Sequence, residues 1–123
     1  MDNTAGLILL TYKGKVLLMY KQNSAIDQEK HPWSLIGGIK KENESFEQAL
    51  SRRVQKEAGI KIENVEYVSE YCYRASLTDD NVNKIKRDEF QLLDFFTPKE
   101  VQKLLLSSQT AKFLLNHSSL IVL

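Results

Sequence analysis

The order of elements along the chain predicts an α/β (α+β) fold in which a mixed sheet is covered by helices on its faces. Three observations carry this. Two apolar runs flank a tight turn near the start, a sharply capped amphipathic helix follows in the middle, and further strands and two short helices fill the second half. This pattern leaves the topology open.

Taken in order, Ala5 to Tyr12 is apolar and reads as a buried strand. Lys13-Gly14-Lys15 is a turn, and Val16 to Lys21 is the returning strand of a hairpin. Gln22 to Pro32 is polar and irregular, so a loop is expected. Trp33 to Ile36 reads as a short strand running into Gly37-Gly38, where the missing side chains permit positive φ or a close approach of backbone to a ligand. The spacing then predicts a helix capped by Ser45, with Gln48 completing a capping box. Phe46, Ala49, Leu50 and Val54 recur at helical spacing, and Gly59 stands where a left-handed C-terminal residue belongs. Ile62 to Ala75 carries alternating apolar and aromatic residues and predicts one or two strands. Leu77 to Arg87 is polar and reads as a mobile loop, and Glu89 to Phe96 as another strand. Thr97 and Pro98 open a helix expected to reach Leu106, and Gln109 to Asn116 is a last short helix. No segment has the composition of a linker, so residues 1–123 are expected to form a single domain.

Composition narrows the function. With 123 residues the chain can bury a real core. Seventeen basic and sixteen acidic residues give a net charge of +1, so the sequence carries no strong nucleic-acid signal outside a local patch. Cys72 is the only cysteine; it cannot close an internal disulfide and reads as core packing in a strand. His31 and His117 lack metal-type spacing. A reduced, cytoplasmic setting is expected, with no membrane segment and no signal peptide.

The run GIKKENESFEQALSRRVQKEAGI, from Gly38 to Ile60, resembles the Nudix box, G-x5-E-x7-R-E-U-x-E-E-x-G-U, where U is a bulky aliphatic residue. Gly38, Glu44, Arg52, Val54, Glu57, Gly59 and Ile60 fall on the pattern without a gap, while Arg53 and Lys56 stand where the family has glutamates. Ile36 replaces a usual proline, Lys41 a common acidic residue and Asn43 a usual glycine, for which Asn's tolerance of the left-handed region suits it. The resemblance implies the α/β/α sandwich of the Nudix hydrolases, which act on nucleoside diphosphates linked to another group. It implies Mg²⁺ or Mn²⁺ as cofactor where the domain is active. It also implies that Glu44 and Arg52 brace the box.

The chemistry explains why the two replacements matter. Water attacking an anionic phosphorus needs its charge offset, and a divalent cation does that while acidifying bound water. Hard cations want carboxylates, and a helix presents them on one face at i, i+3 and i+4. Here that face reads Arg53, Lys56 and Glu57, so three negative charges become two positive and one negative. Two cations within ~6 Å of a metal site oppose it by on the order of 1 kcal/mol or more each, at an effective dielectric of about 40. The usual metal cluster is therefore not expected.

Each candidate residue has two readings. Glu57 is the catalytic or metal-binding acid that survives, with Glu44 as a weaker catalytic candidate, or Glu57 is simply the i, i+4 partner of Arg53. The second reading is favoured. Arg53 and Lys56 capture an anion or are ordinary surface charge, and these stand level. Gly37, Gly38, Lys40 and Lys41, with Arg52 if it is unpaired, complete a basic ligand-binding loop that can hold phosphate without metal. Lys21 is a phosphate contact or, preferably, a solvated strand end. Trp33 stacks on a base or packs in the core. Glu89 is a further metal ligand, if a metal binds, or a lone surface acid. The first functional reading is a nucleotide or other phosphate-containing small molecule bound by a domain with a degenerate box, its pyrophosphate hydrolysis weak or lost. The second is an active Mg²⁺-dependent pyrophosphohydrolase using Glu57, Glu44 and Glu89. The third is a protein-interaction scaffold. The apolar tail Leu120 to Leu123 is a candidate sheet edge for a homodimer.

Overall fold

A computed structural model describes residues 5–21, 33–86 and 91–120, except for the side chains of Lys21, Gln91 and Ser118. The expected mixed α+β fold is present, and strands and helices follow the expected order. The chain groups into two compact units, one drawn from Met1–Leu10 and Ile36–Lys86, the other from Thr11–Leu35 and Arg87–Leu123.

In the first unit, strand β1 (Ala5–Tyr12) pairs antiparallel with β4 (Ile36–Ile39), with Gly6 opposite Gly38 and Leu7 opposite Gly37. The Leu7 amide also donates to the Tyr71 carbonyl at 2.8 Å. Strands β5 (Glu66–Ser69) and β6 (Cys72–Ser76) form an antiparallel hairpin with an irregularity between Tyr67 and Ser69. Helix α1 (Phe46–Ala58) buries Ala49, Leu50 and Val54. Both expected caps form: the Ser45 hydroxyl accepts from the Gln48 amide, the Gln48 side chain accepts from the Ser45 amide, and Gly59 ends the helix at φ 72°. Gly6 lets the helix lie close, since a Cβ there would come within 2.8 Å of the Phe46 ring. Phe46 in turn meets Tyr71 and Tyr73 at ring-centroid distances of 5.4 and 6.0 Å.

In the second unit, the end of β1 turns through Lys13 (φ 49°) and Gly14 (φ 77°) into β2 (Lys15–Lys21). Two successive positive φ angles match the right-handed twist of a hairpin. Strand β2 pairs antiparallel with β3 (Trp33–Ser34) and with β7 (Gln91–Phe96), Tyr20 lying opposite both Trp33 and Leu92. A parallel bridge joins Trp33 to Leu106, which makes the pairing mixed. Helices α3 (Pro98–Val101) and α4 (Ser108–Asn116) follow, and the buried Thr110 hydroxyl accepts from the Leu35 amide at 2.9 Å.

Four expectations need correction. The polar stretch Leu77 to Arg87 is not all loop: Asp79–Asn83 forms helix α2, because Thr78 and Asn81 cap each other's backbone amides. The helix opened by Pro98 stops at Val101 and does not reach Leu106, where the chain leaves helical geometry to bridge Trp33. Gly37 and Gly38 do not adopt positive φ, since strand pairing with β1 holds them extended. Asn43 does not lie in the left-handed region either; the loop closes instead through Glu44 and the backbone of Lys41. The 22–32 loop, the start of the Glu89 strand and residues 121–123 of the tail lie outside the described residues.

Candidate functional site

The site is built on the strand-to-helix passage of the first unit. Strand β4 ends at Ile39, a polar loop follows, and α1 returns over the strand. Arg52 and Arg53 are adjacent in sequence, yet they serve different parts of this passage.

Arg52 braces the loop. Its Nη2 donates to Glu44 Oε1 at 2.7 Å and to the Ile39 carbonyl at 3.3 Å, and its Nε donates to Glu44 Oε2 at 3.4 Å. Glu44 also accepts from the Lys41 amide at 2.9 Å. These contacts hold the Glu44 carboxyl below the usual carboxylate range, the Arg52 hydrogen bond contributing most and the Lys41 amide next. Glu44 correspondingly raises the Arg52 guanidinium. The expected pairing of the two residues is thus present.

Arg53 turns inward. Its Nε donates to the Gly37 carbonyl at 3.2 Å and its Nη2 to Glu57 Oε1 at 3.0 Å. Its methylenes lie across Gly38 so closely that a Cβ there would overlap Arg53 Cγ. Gly37 is equally constrained, because a Cβ would come within 2.8 Å of the Gly6 carbonyl oxygen. The close approach anticipated at the two glycines is therefore to the protein's own strand and its own arginine. Glu57 is buried, its side chain only 5% exposed, and forms the i, i+4 ion pair with Arg53.

Gly37, Gly38, Lys41, Arg52 and Arg53 line one open depression of about 460 Å³, together with Ala5 and Ile39. Three cationic side chains meet there, and no acidic residue among the described residues lines it. Lys41 is exposed and has no ion-pair partner among the described residues. Ala5 and Ile39 were not anticipated; they reach the depression through strand register, which is set by distant pairing. Lys56 is exposed on α1 and does not line the depression. Trp33 belongs to the second unit, half-buried between Tyr20 and Phe96 at 5.3 and 4.8 Å. Lys21 ends β2 there, its side chain undescribed, and Glu89 lies outside the described residues.

A divalent cation, implied by the resemblance, meets a poor donor set in the described residues. One carboxylate, Glu57, remains on the relevant helix face, and a guanidinium engages it. Among the described residues no three His, Cys, Asp or Glu side chains come together. Nor is any described helix long and apolar enough to cross a membrane.

Solved structures share this fold. A MutT NUDIX hydrolase from Burkholderia pseudomallei aligns with 95% of this chain and 98% of its own at 17% identity and TM-score 0.72. A mutT/nudix family protein from Listeria innocua aligns with 98% and 94% at 20% identity and TM-score 0.72. The E. coli ORF135 protein aligns with 94% and 88% at 22% identity and TM-score 0.67. No curated protein sequence matches the chain. The family model of the NUDIX domain matches residues 2–116, and with nearly the whole sequence inside that match the chain belongs to the Nudix family.

Proposed function

We propose that the depression beside α1 binds a nucleotide or another phosphate-containing small molecule, and that pyrophosphate hydrolysis is weak or lost. The observation that supports this best is the lining: Lys41, Arg52 and Arg53 gather around two glycine backbones, and no acidic residue among the described residues lines the depression itself. Lys41 supplies a mobile ammonium for a phosphate oxygen. Arg53 commits its Nε and Nη2 inward, and the rest of its five N–H donors remain for an anion. Arg52 gives its Nε and Nη2 donors to Glu44 and the Ile39 carbonyl, so its Nη1 donors are what it has left for a phosphate oxygen. In active Nudix hydrolases a divalent metal neutralises phosphate oxygens and activates water. Here Arg53 and Lys56 replace two glutamates of the box, so binding and hydrolysis are separable.

Family membership keeps an enzymatic reading in play, in which Glu57, Glu44 and Glu89 hold one metal. Two measurements decide. Thermal unfolding with nucleoside di- and triphosphates in the presence of a chelator should show stabilisation, about 2.7 kcal/mol at ~100 times Kd, and Lys41→Ala should reduce it. A panel of nucleoside diphosphate derivatives with Mg²⁺ or Mn²⁺ should release phosphate at background rate. Turnover that disappears in Glu57→Gln would establish the enzymatic reading instead. The absence of a thermal shift with every nucleotide would favour a scaffold.

A further inference from the structure

We propose that Arg53 is a tethered cation: its guanidinium occupies the gap between the Gly37 carbonyl and the Glu57 carboxylate, fastens β4 to α1, and keeps a divalent ion out. The proposal concerns how the site is held together and is independent of which anion enters the depression.

The geometry points to replacement rather than drift to surface charge. A surface arginine extends into water. Arg53 is 23% exposed and donates inward at both ends of its fork, to a strand carbonyl at 3.2 Å and a helix carboxylate at 3.0 Å. The acceptors are hard oxygens of the type a divalent ion takes. One is main chain on β4 and the other side chain on α1, so whatever cation bridges them sets the spacing of strand and helix. The bare Gly38 is what allows the arginine chain to lie flat enough to reach. A guanidinium and a metal ion cannot share the gap, because they compete for the same oxygens and repel one another.

It follows that the wild type gains nothing from a divalent ion, whereas a protein without the guanidinium needs one. Arg53→Glu places a second carboxylate facing Glu57 at i, i+4. In chelator this variant should melt lower than wild type, since like charges now face each other. Excess Mg²⁺ should raise its melting temperature by several degrees, in a concentration-dependent manner. The wild type should melt at the same temperature in chelator and in Mg²⁺. Adding Glu57→Gln to Arg53→Glu should remove most of the rescue. The proposal is overturned if Mg²⁺ stabilises wild type as much as Arg53→Glu, or if the rescue survives loss of Glu57. A second measurement needs no variant. The Arg53 Nε–H resonance of the wild-type protein should be protected from exchange and unmoved by Mg²⁺. Rapid exchange with solvent, or a shift on adding Mg²⁺, would show that the guanidinium does not fill the gap.

Discussion

Helix α1 is fastened to the first unit in two different ways along its length. Its first half uses hydrocarbon: Phe46 and Leu50 lie over Gly6, and Ala49 and Leu50 are fully buried. Its second half adds charge: Arg53 lies over Gly38 and bridges Gly37 to Glu57. Both halves need a glycine in the strand beneath, and Gly6 and Gly38 are direct partners across β1 and β4. The difference separates fold from site. Packing that any apolar residue of suitable volume could supply lies at one end, and a specific ionic contact beside the cationic depression lies at the other.

Three substitutions probe this division. The largest effect is expected at the hydrocarbon end. Leu50→Ala should destabilise the protein by about 2–5 kcal/mol in denaturant unfolding, because a fully buried side chain leaves a cavity. Anion binding per folded molecule should be unchanged; a binding defect in proportion to the lost stability would erase the distinction between the halves. At the charged end, Gly38→Ala drives a methyl group into the Arg53 chain and should cost about 1–3 kcal/mol. Its signature is loss of protection at the Arg53 Nε–H, and unchanged exchange there would mean that the strand moves and not the arginine. The smallest effect belongs to the loop brace. The folded-state Glu44 carboxyl lies below the ordinary carboxylate range, chiefly through Arg52. Its contribution is therefore full above the unfolded-state value and is lost as pH falls through the lowered one. Glu44→Gln should flatten the acid limb of stability against pH in that window. The change should be slight because the pair is near the surface, where solvent screens it.

Local rules made α1 legible and distant contacts hid much of the rest. The capping box at Ser45 and the left-handed Gly59 are contained within the residues that form them, so the helix could be read from end to end. The Arg53–Glu57 and Glu44–Arg52 pairs were similarly accessible, the first from helical spacing and the second from the Nudix resemblance. Helix α2 was missed because its box, Thr78 with Asn81, uses an amide one carbon shorter than the usual Glu or Gln, in a segment without an apolar stripe. The early end of α3 depends on the Trp33 amide donating to the Leu105 carbonyl, a contact between segments far apart in the chain. The Gly37 carbonyl as an Arg53 acceptor depends on how α1 settles over β4, which no spacing encodes. Sequence marked the two glycines as special, but only the folded chain shows that they accommodate a neighbouring strand and an arginine.

The placement of the aromatic residues has a practical consequence. Trp33, the one tryptophan, keeps its ring company with Tyr20 and Phe96 inside the second unit, while Tyr67, Tyr71 and Tyr73 belong to the first. Indole emission is therefore a natural optical probe of the second unit, and amide exchange along α1 an independent probe of the first. Whether the two signals vanish at one midpoint or at two would measure how cooperatively the chain unfolds.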